Sequence, residues 1–349
     1  MTKLFEFNLN CLTNNTHMTY CTVPFKRFEI FQEKVSVCCP NYLPDGCVDI
    51  KPLDPNLNLM DLWNNVRMRT VREQMCRGDY SACSEYLCPL VRLPDIGPVP
   101  KKFLDVKGPR HVKLSFDRGC NLHCRSCRES GKIIKTDDQI VHNLLRLFER
   151  DLSQSVQFLE ADGAGDPFFS KIYRSWMIGF DPTRYPNLKS VKFHTNAQLF
   201  SEYFWNNRLT LIKPYVNAVE ISIDAATEET YKKIRIGGDW KRLLTNLEFI
   251  FSIETITEIM LNFIVQKDNI PEISAFHRLM YELAQKAGVN RTYSVQYNRV
   301  IWWASVPKEQ FNEIKIPESS EDYVKQQIAG LKKVTPIPTG GVMYVQTNI

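Results

Sequence analysis

From about residue 110 the chain alternates two hydrophobic periods. Short apolar and β-branched runs read as strands: VKLSF (112–116), SVQFLE (155–160), SVKFHT (190–195), AVEISI (218–223), IMLNFIV (259–265) and YSVQY (293–297). Helical stretches lie between them. TDDQIVHNLLRLFER opens on a capping-box pair, Thr136 and Gln139, ahead of an apolar run. Leu243, Leu247, Ile250 and Phe251 fall at i, i+4, i+7 and i+8, one face of a helix. Six strands joined by helical crossovers predict an α/β fold with a parallel sheet, open or curled into a partial barrel. Such sheets gather their chemistry at the C-terminal ends of the strands.

The first 95 residues follow no such alternation. They are rich in turn residues, as in CCPNYLPDGC and DIKPLDPNLN, and one helix is expected where Leu59, Trp63, Val66, Val71 and Met75 recur. LPDIGPVPKK (93–102) has the proline and glycine content of a linker. The expected organisation is a small N-terminal domain (1–95), a linker (96–109), the alternating α/β domain (110–300) and a short mixed tail (301–349).

Composition narrows the class. A chain of 349 residues with 44% apolar and 24% charged residues has the balance of a globular protein. The net charge of +5 comes without a long Lys/Arg run, so a nucleic-acid partner is not expected. No run reaches the roughly 20 apolar residues of a membrane span, and MTKLFEFNLNCLTNNTH has no signal-peptide core. A cytoplasmic location follows as an expectation. There the 11 cysteines favour metal binding or catalysis over disulfides. Eight precede residue 90, three fall within 120–127, and none follows, a crowding that suggests two metal-binding regions.

The triplet is Cys120, Cys124 and Cys127 in FDRGCNLHCRSCRES. It supplies three thiolates, where a closed zinc site needs four ligands. An iron–sulfur cluster on three thiolates keeps one iron open. The alternative is a zinc knuckle completed by His123. Each other polar motif follows an expected strand. Gly163, Gly165, Asp166 and Pro167 follow SVQFLE, in a loop where glycines permit close backbone approach and Asp166 offers a carboxylate, or which is an ordinary turn. Asn196 follows SVKFHT, Ser222 and Asp224 close AVEISI, and Gln266 closes IMLNFIV. Ser222 and Asp224 could instead cap the next helix, a task Thr227 could also perform. Arg235, after that helix, is either solvated or turned to the same end of the sheet.

CxxxCxxC after a first strand, GAGDP after a second, and SIDAATEETYKKIRIGGDW later resemble the radical S-adenosylmethionine (SAM) enzymes over residues 110–300. The resemblance implies a partial (β/α)6 TIM-like barrel. It implies a 4Fe–4S cluster on Cys120, Cys124 and Cys127, with SAM chelating the open iron. It places the GAGDP loop at the methionyl ammonium through its backbone and Asp166, and Asn196 and Asp224 near the ribose. Ser222 and Arg235 would hold the methionyl carboxylate, and Gln266 would lie near the adenine. Where many members carry an aromatic residue before the third cysteine, this chain has Ser126.

The N-terminal stretches CTVPFKRFEIFQEKVSVCC and LMDLWNNVRMRTVREQMCRGDYSACSEYLC resemble twitch or SPASM-like auxiliary-cluster domains, which in most members follow the barrel. By that resemblance Cys21, Cys38, Cys83 and Cys88 would hold an auxiliary 4Fe–4S cluster, with Cys39 a rival to Cys38 and Cys11, Cys47 and Cys76 left over. A zinc-ribbon-like fold is the alternative for this segment. The implied activity is reductive cleavage of SAM and hydrogen abstraction from a substrate. That substrate would be a ribosomal peptide undergoing oxidation, cross-linking or epimerisation, or a sugar or small metabolite. The electron donor would be a low-potential protein such as flavodoxin or ferredoxin. The alternative of another class is a zinc-stabilised binding protein.

Overall fold

The computed structural model describes residues 19–349 except 89, 94, 106, 130–136, 162–163, 288–292, 303–304, 332–342 and 349. Cys11, Thr136 and Gly163 lie outside the described residues. The chain divides into two compact units.

The first unit takes residues 1–117, 136–164 and 181–191. Its elements are β1 (Arg27–Ile30), β2 (Lys34–Ser36), β3 (Cys47–Asp49), α1 (Leu59–Trp63), α2 (Val66–Cys76), β4 (His111–Leu114), α3 (Asp138–Asp151) and β5 (Phe158–Ala161). The strands run in the order β5-β4-β1-β2-β3. β4 is parallel to both β5 and β1, with Arg27 opposite His111 and His111 opposite Phe158. β1–β2 and β2–β3 are antiparallel. The cysteine-rich segment therefore lends a strand to the side of β4.

The single helix expected over 59–75 is two. Asn64 closes α1, and the Asn65 side chain accepts from Arg67 N to open α2. Asparagine competes for backbone hydrogen bonds better at a cap than inside a helix, so the pair breaks the run. Val66, counted in the apolar face, is 71% exposed as a result. Trp63 anchors this unit instead. It meets Phe28 edge-on at 5.8 Å and lies 3.9 Å beneath the buried guanidinium of Arg72. That group donates to Pro24 O (2.7 Å) and Trp63 O (2.9 Å). The Pro/Gly-rich stretch is tied back as well: Gly97 N donates to Thr19 O (2.7 Å) and Val99 N to Met75 O (3.0 Å). The cap of α3 is Asp137, whose side chain accepts from Gln139 N.

The second unit takes residues 118–135, 165–180 and 192–349. It contains α4 (Lys171–Ile178), most of β6 (Ser190–Thr195), α5 (Glu202–Arg208), β7 (Val216–Ser222), α6 (Glu228–Ile234) and α7 (Trp240–Ser252). Beyond these come β8 (Glu258–Val265), α8 (Ile273–Lys286), β9 (Tyr293–Arg299), α9 (Lys308–Ile314), α10 (Glu321–Leu331) and β10 (Met343–Asn348). The order is β6-β7-β8-β9-β10, and β7–β8, β8–β9 and β9–β10 are parallel. All six expected strands are present, as β4 to β9. The tail is more structured than its composition suggests, supplying α9, α10 and β10. Leu243, Leu247, Ile250 and Phe251 of α7 are all buried, and Phe251 packs on Tyr293 of β9 at 5.3 Å. Each unit is thus α/β, with parallel pairing among its longer strands. Among the described residues no helix is long and apolar enough to cross a membrane.

Candidate cofactor site

The triple-cysteine loop has neither helix nor strand, and its shape is imposed from outside. His123 N and Arg125 N donate to Ile236 O and Ile234 O, at the end of α6, both at 3.1 Å. Glu129 N donates to Ser305 O (2.9 Å), and Ser305 Oγ to Cys127 O (2.7 Å). Gln310 Nε2, on α9, donates to both Arg125 O (2.6 Å) and Arg128 O (2.9 Å). The Arg125 guanidinium pairs with Asp268 (3.0 Å) and Glu313 (3.1 Å). None of these clamps carried a sequence signal, because the partners lie far along the chain.

Within the loop Cys120 and Cys124 are buried against Leu122, and Cys127 is exposed. Each sulfur accepts one side-chain N–H: Cys120 from Asn196 Nδ2 (3.6 Å), Cys124 from Arg235 Nη1 (3.6 Å), Cys127 from Arg128 Nη2 (3.8 Å). Burial pushes the Cys120 thiol up to about 12. Burial also raises the Cys124 thiol, against the pull of the Arg235 charge.

The glycine-containing loop is packed on this one. A Cβ on Gly165 would stand 2.0 Å from Gly119 O, so only glycine fits there. Asp166 N donates to Gly119 O at 2.8 Å. The Asp166 carboxylate, 1% exposed, accepts from Thr195 Oγ1 and Asn196 N (both 2.8 Å) and from Phe168 N (2.9 Å). Burial raises its pKa above the usual carboxylate range, and these donors pull it back. Its visible work is to brace the two loops, while Pro167 is buried beside it.

Ser222 Oγ lies 3.0 Å from His194 Nε2, a residue the sequence reading passed over. Two positions earlier on each strand, Lys192 and Glu220 pair at 2.5 Å, and Asn262 of β8 donates to the same Glu220 carboxylate at 2.5 Å. Alternation along β6 and β7 thus lines one face of the sheet with polar groups. Thr227, not Ser222 or Asp224, caps α6 by accepting from Thr230 N.

Asp224 has a positive φ of 64° and is fully buried. Its Oδ1 accepts from Ile264 N (2.7 Å), and its Oδ2 lies 2.6 Å from Arg235 Nη2. Arg235 is therefore not a solvated surface group. Gln266 is fully buried just after β8, and among the described residues neither its Oε1 nor its Nε2 has a hydrogen-bond partner. A buried amide left open at both ends costs about 1–3 kcal/mol, so it marks a place built for something else.

In the first unit Cys38 lies within electrostatic reach of Cys21, Cys39 and Cys88, and Cys83 within reach of Cys88. Burial lifts the Cys38 thiol well up and the Cys83 thiol up to about 12. Tyr80 ties the region together: Cys83 N donates to its carbonyl (2.9 Å), and its hydroxyl accepts from Cys21 N (3.4 Å). Cys47 is engaged elsewhere, with Ser36 Oγ (3.4 Å) and Leu43 O (3.8 Å).

Among the described residues no three His, Cys, Asp or Glu side chains could hold a single metal ion. A cubane takes one thiolate per iron and keeps the sulfurs apart. Three singly presented thiols, a glycine contact with no room for a Cβ, and an orphaned buried amide fit a 4Fe–4S cluster with SAM beside it.

No family model matches the chain. Over 173 residues, 48% of its length, it is 24% identical to a probable GTP 3',8-cyclase of Methanocaldococcus jannaschii, covering 55% of that protein. It is 25% identical over 173 residues to the GTP 3',8-cyclase of Clostridium botulinum strain Hall, covering 52% of it. The chain thus spans about half the length of the curated relatives it matches. Among solved structures it is similar to TYW1 with a lysine–pyruvate adduct bound (TM-score 0.41, 15% identity, 71% of this chain and 83% of that one). It is also similar to anSMEcpe with bound AdoMet and the Cp18Cys peptide (0.43, 16%, 64% and 58%). A third is HydG, a maturase of the FeFe-hydrogenase (0.45, 16%, 67% and 50%). Over the matched 173 residues the chain is thus similar to proteins named as GTP 3',8-cyclases.

Proposed function

We propose that this chain is a radical SAM enzyme that binds a 4Fe–4S cluster on Cys120, Cys124 and Cys127. With SAM bound, such a cluster would supply the electron for reductive cleavage of SAM and hydrogen abstraction from a substrate. The observation that carries the reading is the set of three thiols in one loop, each with its own N–H donor.

The chain's own residues divide the remaining work. The backbone of the loop from Gly163 to Pro167 receives the methionyl ammonium, and Asp166 holds that loop to Thr195 and Asn196. Gln266 offers the adenine one acceptor and one donor pair. Asn196 and Asp224 stand near the ribose, and Ser222 and Arg235 near the methionyl carboxylate. Burial of Asp166, Asp224 and Gln266 keeps water from the reacting region.

Cys21, Cys38, Cys83 and Cys88 form the reading for an auxiliary 4Fe–4S cluster in a twitch or SPASM-like N-terminal segment (1–95). Cys38 is favoured over Cys39 because it is Cys38 that feels the charges of Cys21 and Cys88, whereas Cys39 faces Glu29 and Lys113. Such a cluster would accept the electron of a net oxidation, which supports a peptide substrate modified by oxidation or cross-linking. The second reading, a small metabolite, is favoured by the curated relatives, whose names specify GTP. A flavodoxin or ferredoxin would supply electrons.

The test is anaerobic reconstitution with iron and sulfide, then SAM and dithionite, with 5′-deoxyadenosine as the readout. Iron near eight atoms per chain supports two clusters, and near four supports one. A chain that retains only zinc overturns the proposal.

A further inference from the structure

The three N–H···S contacts come from three separate places: Asn196 after β6, Arg235 after α6, and Arg128 in the loop itself. Each donor is fixed by other bonds before any cluster is present. Asn196 Nδ2 also donates to Asn121 Oδ1 (3.0 Å), its Oδ1 accepts from Gln198 N (3.0 Å), and its own N–H goes to Asp166 (2.8 Å). The Arg235 guanidinium is locked on Asp224 at 2.6 Å. Arg128 is 3% exposed and donates to Arg118 O at 3.4 Å.

A donor so placed acts on charge. One-electron reduction of the cluster adds a negative charge that spreads onto its cysteine sulfurs. An N–H directed at each sulfur stabilises the reduced form more than the oxidised one and raises the midpoint potential. Guanidinium donors act more strongly than an amide. We propose that Asn196, Arg235 and Arg128 are positioning residues that set the reduction potential of the cluster, one per cysteine. For Arg235 this adds a contact with Cys124, made while the guanidinium is held on Asp224, to its place near the methionyl carboxylate. The proposal rests on the cluster reading above.

The experiment uses the full chain, reconstituted anaerobically, as wild type, Asn196→Ser, Arg128→Gln and Arg235→Lys. The serine can still accept from Gln198 N but cannot reach Cys120. The lysine keeps a charge for Asp224 but loses the fork that also reaches Cys124. Iron and sulfide are measured first, so that an empty wild type would identify a failure of the cluster reading itself. Midpoints are then read by electron paramagnetic resonance during a mediated titration. The expected result is a more negative midpoint in every variant, on the order of tenfold in the reduced-to-oxidised ratio for the arginine changes, or about 59 mV for one electron. Unchanged midpoints in variants that carry full iron and sulfide would overturn the proposal. Loss of cluster loading in all three variants with unaltered circular dichroism would also overturn it, assigning these side chains to assembly.

Discussion

Replacing Arg235 by methionine should destabilise the metal-free chain far more than replacing Arg235 and Asp224 together. Asp224 is 0% exposed, and the guanidinium at 2.6 Å is the cation paired with it. Methionine fills the stem of the arginine but strands a buried carboxylate, which costs about 3–5 kcal/mol. Changing Asp224→Asn alongside removes the stranded charge. Asparagine tolerates the φ of 64° and keeps an oxygen for Ile264 N, now 2.7 Å from Asp224 Oδ1. The double variant should therefore lose only about 1–2 kcal/mol. The difference, roughly 2–3 kcal/mol, already exceeds the roughly 0.3–0.5 kcal/mol departure from additivity of independent sites, and any loss in the Asp224→Asn single variant enlarges the coupling further. Urea unfolding followed by far-ultraviolet circular dichroism, with slopes compared to confirm a common transition, measures all four corners of the cycle. Additive losses would refute the reasoning, because they would mean the carboxylate does not depend on the guanidinium.

Gln266→Leu should stabilise the metal-free chain by about 1 kcal/mol, since it removes an amide unpaired at both ends, while weakening SAM binding about tenfold or more; thermal unfolding and a SAM titration check the two halves. Gly165→Ala forces a methyl onto Gly119 O and should cost about 1–3 kcal/mol and lower iron incorporation, read by unfolding and metal analysis. In the metal-free chain iodoacetamide should label exposed Cys127 and spare Cys120 from neutral pH to about pH 9. A thiol pushed up to about 12 stays protonated below that value and becomes nucleophilic only as pH rises toward it, so equal labelling by mass spectrometry would contradict the burial argument.

The strands β4 to β9 were legible because each is a dense apolar run ending in polar residues. β1, β2 and β3, at RFEI, KVS and CVD, are three or four residues long and too short to show a period. The break between α1 and α2 was written in Asn64 and Asn65, two cap formers in a run otherwise spaced for one helix. Polar residues at the strand ends marked where the site gathers, and Asn196, Asp166, Asp224 and Arg235 do converge on the cysteine loop. What each group spends its bonds on was not legible. Asp166 is committed to Thr195 and Asn196, and Asp224 to Arg235, pairings that depend on loops 29, 30 and 11 positions apart meeting in space. Gln310, 185 residues from the carbonyl it clamps, had no signal at all.

The central claim is that three cysteines hold a cluster that cleaves SAM. Its most direct measurement is 5′-deoxyadenosine formed by the anaerobically reconstituted chain with SAM and dithionite, beside the Cys124→Ala variant. The account predicts product from the wild type and none above background from the variant, whose remaining two thiolates cannot hold the cubane. Equal product from both, or none from a wild type with full iron and sulfide, would contradict it.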